Sequence, residues 1–175
     1  MVTLRDATPA DAEAVREVHA ASIRGLGSAG YDAEQVTAWA GDPTAADYET
    51  TPDGAEFVVA EDAADGRVVG FGELRPHGGD YFQRVRAGPW TGEVRAVYVR
   101  PDAAREGVGS ALLAELERRA RERGLTALGL HAALNAVPFY EARGYERVVE
   151  LPHEFGGDAD GVTGSVVEMR KRLDA

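Results

Sequence analysis

The stretch "RPDAAREGVGSALLAELERRA" (Arg100–Ala120) changes character at Gly107. Before that glycine it is a proline-opened, charged turn. After it, Val108, Leu112, Leu116 and Ala120 recur at i, i+4 and draw one apolar stripe, with Glu115, Glu117, Arg118, Arg119, Arg121 and Glu122 on the other faces. This is an amphipathic helix, and Gly124 closes it as a C′ residue would. Upstream, "EVRAVYVR" (Glu93–Arg100) is a β-branched run stopped as a strand by Pro101. A strand, a tight turn and a helix opening on Gly-x-Gly can hold an anion. First-turn amides have no intrahelical acceptor, the helix dipole adds partial positive charge, and glycine lets a phosphate approach the backbone. The donors would be the amides of Arg105, Glu106, Gly107, Val108, Gly109 and Ser110. Each such interaction contributes about 0.3–1 kcal/mol when exposed and up to ~2 kcal/mol when partly buried. By itself the pattern fits turn glycines that bind nothing equally well. It is not the full G-x-G-x-x-G, because the third position is Leu112, and no G-x-x-x-x-G-K-[ST] occurs.

Working outward, Val2–Arg5 alternates as a strand, and Thr8-Pro9 with Asp11 opens a helix that should end near Gly25. Asp32 caps a second short helix reaching Ala40. "EFVVAED" (Glu56–Asp62) and "RVVGFGELRP" (Arg67–Pro76) flank "AADG" and read as an antiparallel hairpin. The loop His77–Gly92 has no clean period and is long for a strand connection, which marks it as a candidate functional loop. Strands at Leu125–Ala132, Glu146–Leu151 and Thr163–Leu173 and a short helix stopped by Gly144 complete the chain. The predicted order is β-α-α-β-β-β-α-β-α-β-β, a mixed α/β sheet with helices packed on it, in one domain over residues 1–175.

Composition excludes several classes of function. With no cysteine there is no disulfide, thiolate metal site or cysteine nucleophile. A formal net charge of -11 opposes nucleic acid and anionic membranes as partners, and mildly favours a cationic one. No run approaches the ~18 apolar residues of a membrane helix, and the N-terminus has no signal-peptide pattern, so a cytoplasmic protein is expected. Lys171 is the one lysine among 19 basic residues, a composition that suits either a salt-rich cytoplasm or GC-rich coding. His77 and His153-Glu154 lack zinc-site spacing, so no metal is expected.

"AVYVRPDAAREGVGSALL" followed by "LHAALNAVPFYEARGYERV" resembles the GCN5-related N-acetyltransferase family. The first block is similar to that family's acetyl-CoA motif (Q/R)-x-x-G-x-(G/A), the second to its Asn, Phe-Tyr and Gly-(Phe/Tyr) signature. "ASIRGLGSAGYDAEQVTAWA" is similar to the N-terminal pattern of some bacterial and archaeal members. The resemblance implies a central, mostly antiparallel twisted sheet of about seven strands flanked by about four helices. It also implies acetyl-CoA as donor and an amine of a small molecule or protein as acceptor. Val97, Tyr98 and Val99 would offer backbone groups to the pantetheine arm, as an added strand would. The pyrophosphate would sit on the amides of Arg105 to Ser110, Asn135 would hydrogen-bond the cofactor, and Tyr140 would face the sulfur. One position departs from the motif: Ala104 stands where Gln or Arg is usual, and Arg105 is expected to reach a cofactor phosphate instead. Family members often dimerise, so a homodimer is compatible.

Amine acetylation needs an unprotonated amine, a polarised thioester carbonyl and a proton donor for the leaving thiolate. An alkyl ammonium has a pKa of ~10.4, so its proton has to be removed, and a carboxylate reached through water can do this. Glu93 is the first candidate and Glu73 the second. Tyr140 is the candidate donor to the thiolate, and the amide near Val97 the candidate oxyanion contact. His131 lines the expected cleft, where a structural hydrogen bond is its more ordinary duty. Tyr31, Trp39, Tyr81, Phe82 and Trp90 are candidate aromatic walls, although each also suits ordinary packing. Two other functions fit the same glycine turn: a non-catalytic acyl-CoA sensor, and an interaction domain that binds no cofactor.

Overall fold

A computed structural model of the protein describes residues 1–77, 91–156 and 161–174. The elements run β1 (Val2–Asp6), α1 (Ala12–Leu26), α2 (Ala33–Ala40), β2 (Glu56–Asp62), β3 (Val68–Arg75), β4 (Thr91–Val99), α3 (Val108–Glu122), β5 (Ala127–Ala133), α4 (Val137–Glu141), β6 (Glu146–Phe155) and β7 (Val162–Arg172). The strands form one seven-stranded sheet in the order β1-β2-β3-β4-β5-β7-β6. Every neighbouring pair is antiparallel except β4 and β5. This is the mixed sheet with four helices expected from the sequence.

The two sheet faces are covered differently. On one, the stripe of α3 delivers Leu112, Leu113 and Leu116, all buried, against Val58, Leu74, Leu128, Leu130 and Met169. On the other, Val15 and Val18 of α1 pack on Val59 and Phe71. Alternation along each strand separates the two sets: Leu74 and Val94 turn to α3, while Phe71, Glu73 and Arg75 share the face of α1.

Helix α1 ends at Leu26, next to the expected Gly25, and continues into a 3₁₀ turn. Gly25 is required for close approach instead, because a Cβ there would overlap the Pro101 ring. Strand β6 runs on through Pro152 to Phe155. Pro152 is tolerated because β6 is the sheet edge, where one side of the strand needs no ladder donor. The last helix is only five residues long, opened by a 3₁₀ turn at Leu134–Ala136 and followed by a turn in which Gly144 takes φ +89°.

The start of α1 is pinned electrostatically. Arg5 grips Asp11 with Nη1 and Nη2, each at 2.8 Å, and the Thr8 amide donates to the same carboxylate at 2.7 Å. The Arg5 hydrogen bonds, foremost, lower the Asp11 carboxyl from 3.8 to about 2. A carboxylate depressed in the folded state stabilises the fold above its ordinary value and loses that contribution as pH falls from about 4 towards 2. Asp11→Asn is therefore expected to lower the melting temperature at neutral pH and to shrink the loss of stability between pH 4 and pH 2. Thermal melts across that range check it, and an acid-side slope equal to that of the unsubstituted protein would contradict it.

Candidate functional site

Strands β4 and β5 pair at three positions only, Thr91 with Ala127, Gly92 with Leu128 and Glu93 with Gly129. Beyond these, β4 continues to Val99 and β5 to Ala133 without pairing to each other. A bulge helps to part them: Glu73 pairs with Ala96 and Leu74 with Val94, which leaves Arg95 as an extra residue on β4. Bulges bend the strand that carries them. Two cavities open at this gap, of about 600 Å³ and about 520 Å³. They share Trp39, Arg95, Ala96, Tyr98, His131 and Ala133 as wall.

The larger cavity contains most of the expected anion seat. Val97, Tyr98 and Val99 line one side, and Arg105, Gly107, Gly109 and Ser110 another. Glu106 is exposed and does not line the cavity. The helical ladder of α3 opens with Ala111 N–H to Gly107 O, so the amides of residues 105–110 precede the regular ladder. Arg105 and Gly107 both take positive φ, 64° and 84°. The two glycines have different reasons. A Cβ on Gly107 would meet nothing within 4 Å, so its left-handed backbone is what demands glycine. A Cβ on Gly109 would press within 3.2 Å of the Phe139 ring, so that glycine lets α4 dock on α3.

One cation here escaped the sequence reading. Arg143 lies with Cζ 3.8 Å from the Phe139 ring centroid, and its Nε donates to Ser110 Oγ at 3.1 Å. It lines the larger cavity and brings a permanent positive charge to the start of α3. The available signal was its i, i+4 spacing from Phe139 within "FYEARGY".

Asn135 and Tyr140 line the same cavity. Asn135 Oδ1 is buried without a hydrogen-bond partner among the described residues. An orphaned acceptor costs about 1–3 kcal/mol, so a ligand N–H at this point would be bound strongly. Tyr140 is buried, and its hydroxyl makes no hydrogen bond among the described residues. Burial first, and Tyr98 second, push its phenol well above the ordinary value. The residues fit a ligand that carries phosphates at one end and amide N–H groups along its arm.

The smaller cavity, on the face of α1, is aromatic and charged. His19, Tyr48, Phe71 and Tyr98 form one wall, with His19 Nδ1 2.7 Å from the Tyr48 hydroxyl and its ring 4.5 Å from that of Tyr98. Burial lowers His19 to about 4, so it stands there neutral. Glu73 lines this cavity in an ion pair with Arg75 at 2.9 Å. Glu93 lines neither cavity. It is buried where β4 and β5 still pair, 3.7 Å from Arg95. Burial raises its carboxyl above the usual range, opposed by Arg95, Arg75 and His131. Of the aromatic candidates, Trp39 lines both cavities and Tyr31 lines the smaller one. The Tyr31 hydroxyl donates to the Ser165 carbonyl at 2.6 Å and accepts from the Leu134 amide at 3.0 Å, tying β7 to the turn before α4. Tyr81, Phe82 and Trp90, with most of the loop His77–Gly92, lie outside the described residues.

A family model described as "Acetyltransferase (GNAT) family" matches residues 24–145, which hold the splayed strands, the glycine turn and the Asn135–Tyr145 segment. The chain belongs to the GNAT acetyltransferase family. It is an N-acetyltransferase, and the family uses acetyl-CoA as donor. The chain is 32% identical over 158 residues to an aminoglycoside N(6')-acetyltransferase type 1 of Stenotrophomonas maltophilia, covering 84% of this chain and 90% of that protein. Its fold matches a GCN5-related N-acetyltransferase from Rhodopseudomonas palustris with a TM-score of 0.77 at 30% identity, over 98% of this chain and 95% of the other. A phosphinothricin acetyltransferase from Sinorhizobium meliloti, solved with acetyl-CoA, shares the fold at a TM-score of 0.72 and 24% identity, over 98% and 88% of the two chains. Among the described residues no helix is long and apolar enough to cross a membrane.

Proposed function

We propose that residues 1–175 form one catalytic domain that transfers the acetyl group of acetyl-CoA directly to a primary amine of a small molecule or a protein. The observation that carries this reading is the pair of cavities sharing one wall at the β4–β5 gap, one with a phosphate seat and the other with ionisable groups. The phosphates would rest on the amides of Arg105, Glu106, Gly107, Val108, Gly109 and Ser110, with the side chains of Arg105 and Arg143 adding charge. The pantetheine amides would pair with β4 at Val97, Tyr98 and Val99, on the side where it has parted from β5, and one amide N–H would satisfy Asn135 Oδ1. The thioester carbonyl would then lie at the amide near Val97, and its sulfur beside Tyr140.

The acceptor amine enters from the smaller cavity. Its aromatic wall and the acidic surface, net charge -11, support a cationic acceptor of modest size. The relationship to an aminoglycoside acetyltransferase supports the same class. Glu93 is the carboxylate towards which the ammonium proton travels, through an intervening group because Glu93 lines neither cavity. Glu73, already paired with Arg75, is the second carboxylate and holds that arginine at the cavity wall.

The test is thiol release from acetyl-CoA with kanamycin, spermidine and a lysine-containing peptide as acceptors, beside calorimetric titration of acetyl-CoA. Glu93→Gln is expected to lower kcat roughly 10- to 100-fold with acetyl-CoA affinity unchanged. A base works only when ionised, so the rate is full above the raised value of the Glu93 carboxyl and falls as pH drops through it. Removing that carboxylate should displace the acidic limb of the pH–rate profile. A limb that stays in place in both Glu93→Gln and Glu73→Gln would overturn the carboxylate assignment.

A further inference from the structure

The gap between β4 and β5 holds a second ionisable device, and it lines both cavities, whereas Glu93 lines neither and Glu73 only the smaller. His131 follows Gly129 by two residues, so it projects from the same sheet face as Glu93, whose register partner Gly129 is. It is the first residue of that face on β5 after pairing with β4 stops, and it lines both cavities. Directly across on β7, Glu168 is its register partner. Glu168 is completely buried, with its Oε1 3.0 Å from His131 Nε2, while the His131 side chain is 14% exposed. A fully buried carboxylate behind a histidine at a cavity wall is the arrangement that fixes one imidazole tautomer and stabilises the imidazolium. With Glu168 ionised, Nε2–H is the donor to it and the basic lone pair of the neutral ring is that of Nδ1.

We propose that His131 is the group that takes the proton from the acceptor's ammonium, and that Glu168 is its positioning residue. The assignment rests on the acetyl-transfer reading and deepens it. Glu93 is buried beneath the gap and lines neither cavity, so it cannot touch the acceptor, whereas His131 stands between the two. The ammonium gives one proton to His131 Nδ1, and the freed nitrogen lone pair attacks the thioester carbon. The new C–N bond forms as the C–S bond breaks. The thiolate leaves with the second nitrogen-bound proton, and the imidazolium, held between Glu168 and Glu93, passes its proton by way of the Glu93 carboxylate to solvent. Acetyl-CoA and an ammonium thus become an amide, a thiol and one released proton. Among the described residues, the other charged groups facing this cluster include Arg95 on β4, His153 on β6, and Glu73 and Arg75 on β3, all on the smaller cavity. His131 itself lowers the pKa of His153, after burial, which places the two rings within electrostatic reach.

The experiment uses the full chain with acetyl-CoA and whichever of kanamycin, spermidine or lysine peptide supports thiol release. His131→Gln is expected to lower kcat about a hundredfold, leave the acetyl-CoA Kd within about twofold, and abolish or displace the acidic limb of the pH–rate profile. In Glu168→Gln, loss of the carboxylate is expected to lower kcat about tenfold with the acetyl-CoA Kd unchanged. Nitrogen-15 NMR of the His131 ring, a readout that needs no turnover, should show the single tautomer that Glu168 fixes giving way to a mixture in that variant. Glu168→Asp covers the case in which the glutamine variant does not fold, and should keep the single tautomer with reduced kcat. Activity in His131→Gln within threefold of the unsubstituted protein, with the limb in place, overturns the assignment. So does a His131 ring whose tautomer is the same with and without the Glu168 carboxylate. If the unsubstituted protein binds acetyl-CoA but acetylates none of the amines, the acetyl-transfer reading fails with these acceptors, and the ring tautomer still decides whether Glu168 governs His131.

Discussion

Tyr140→Phe is expected to lower kcat by about 10²–10³-fold and to leave the acetyl-CoA Kd unchanged. The ring is held by edge-on contacts with Phe139 and Tyr145, centroids 5.0 Å and 5.6 Å away, and phenylalanine keeps both. Only the hydroxyl disappears, and among the described residues it bonds to nothing in the protein. Its burial sharpens what the group does. A phenol pushed well above its ordinary value stays protonated across the working range. Handing its proton to a thiolate of pKa near ~8.5 would be strongly uphill. Tyr140 therefore acts as a hydrogen-bond donor to the charge growing on sulfur, in the manner of an oxyanion hole, and keeps its own proton. Single-turnover kinetics beside calorimetric titration separate the two quantities. Equal kcat in the variant would remove Tyr140 from the mechanism, and a loss confined to affinity would make it a binding residue.

The largest effect on stability is expected at the one lysine. Lys171 on β7 donates from Nζ to both oxygens of Glu117 at 3.0 Å, and the Tyr145 hydroxyl donates to the same carboxylate at 3.2 Å. Glu117 is buried at 7% exposure in the otherwise apolar stripe of α3. Removing one partner of a buried ion pair leaves the other charge stranded, at a cost of about 3–5 kcal/mol. Arg121 stands 3.8 Å from the carboxylate and offsets part of this, so Lys171→Met should cost about 3 kcal/mol. For a chain of this size that is a fall in Tm of roughly 6–12 °C. Replacing both partners, Lys171→Met with Glu117→Leu, should recover most of the loss, because apolar pairs of similar volume substitute well for buried ion pairs. A single variant that melts within about 2 °C of the parent would show instead that solvent screens the pair.

These sites indicate how far local pattern reaches. The α3 stripe announced its helix because periodicity is a property of neighbouring residues, and Glu117 read there as one more charge on an outer face. Its burial was invisible because Lys171 and Tyr145 arrive from elements far along the chain. The glycine turn was legible as an anion seat, but its two glycines looked alike. Only the docking of Phe139 separates Gly107, needed for its backbone angle, from Gly109, needed for space. Arg143 was missed because a cation is assigned to a seat only when the fold carries α4 to α3. Glu93 was picked out as a carboxylate at the start of a strand. Strand β4 begins two residues earlier, and this buries Glu93 beneath the gap.

The amino-acid sequence alone determined the number, kind and order of the elements and the chemistry of the Gly107–Ser110 turn. Period, proline, glycine and cap residues act over a few neighbours and need no distant partner. Tertiary structure alone decided that β7 inserts between β5 and β6, that β4 and β5 part after three pairs, and that His131 meets Glu168 across 37 residues of chain. Strand pairing is a competition among distant segments for the same hydrogen-bond edges and the same core, and its outcome is not written in any one of them.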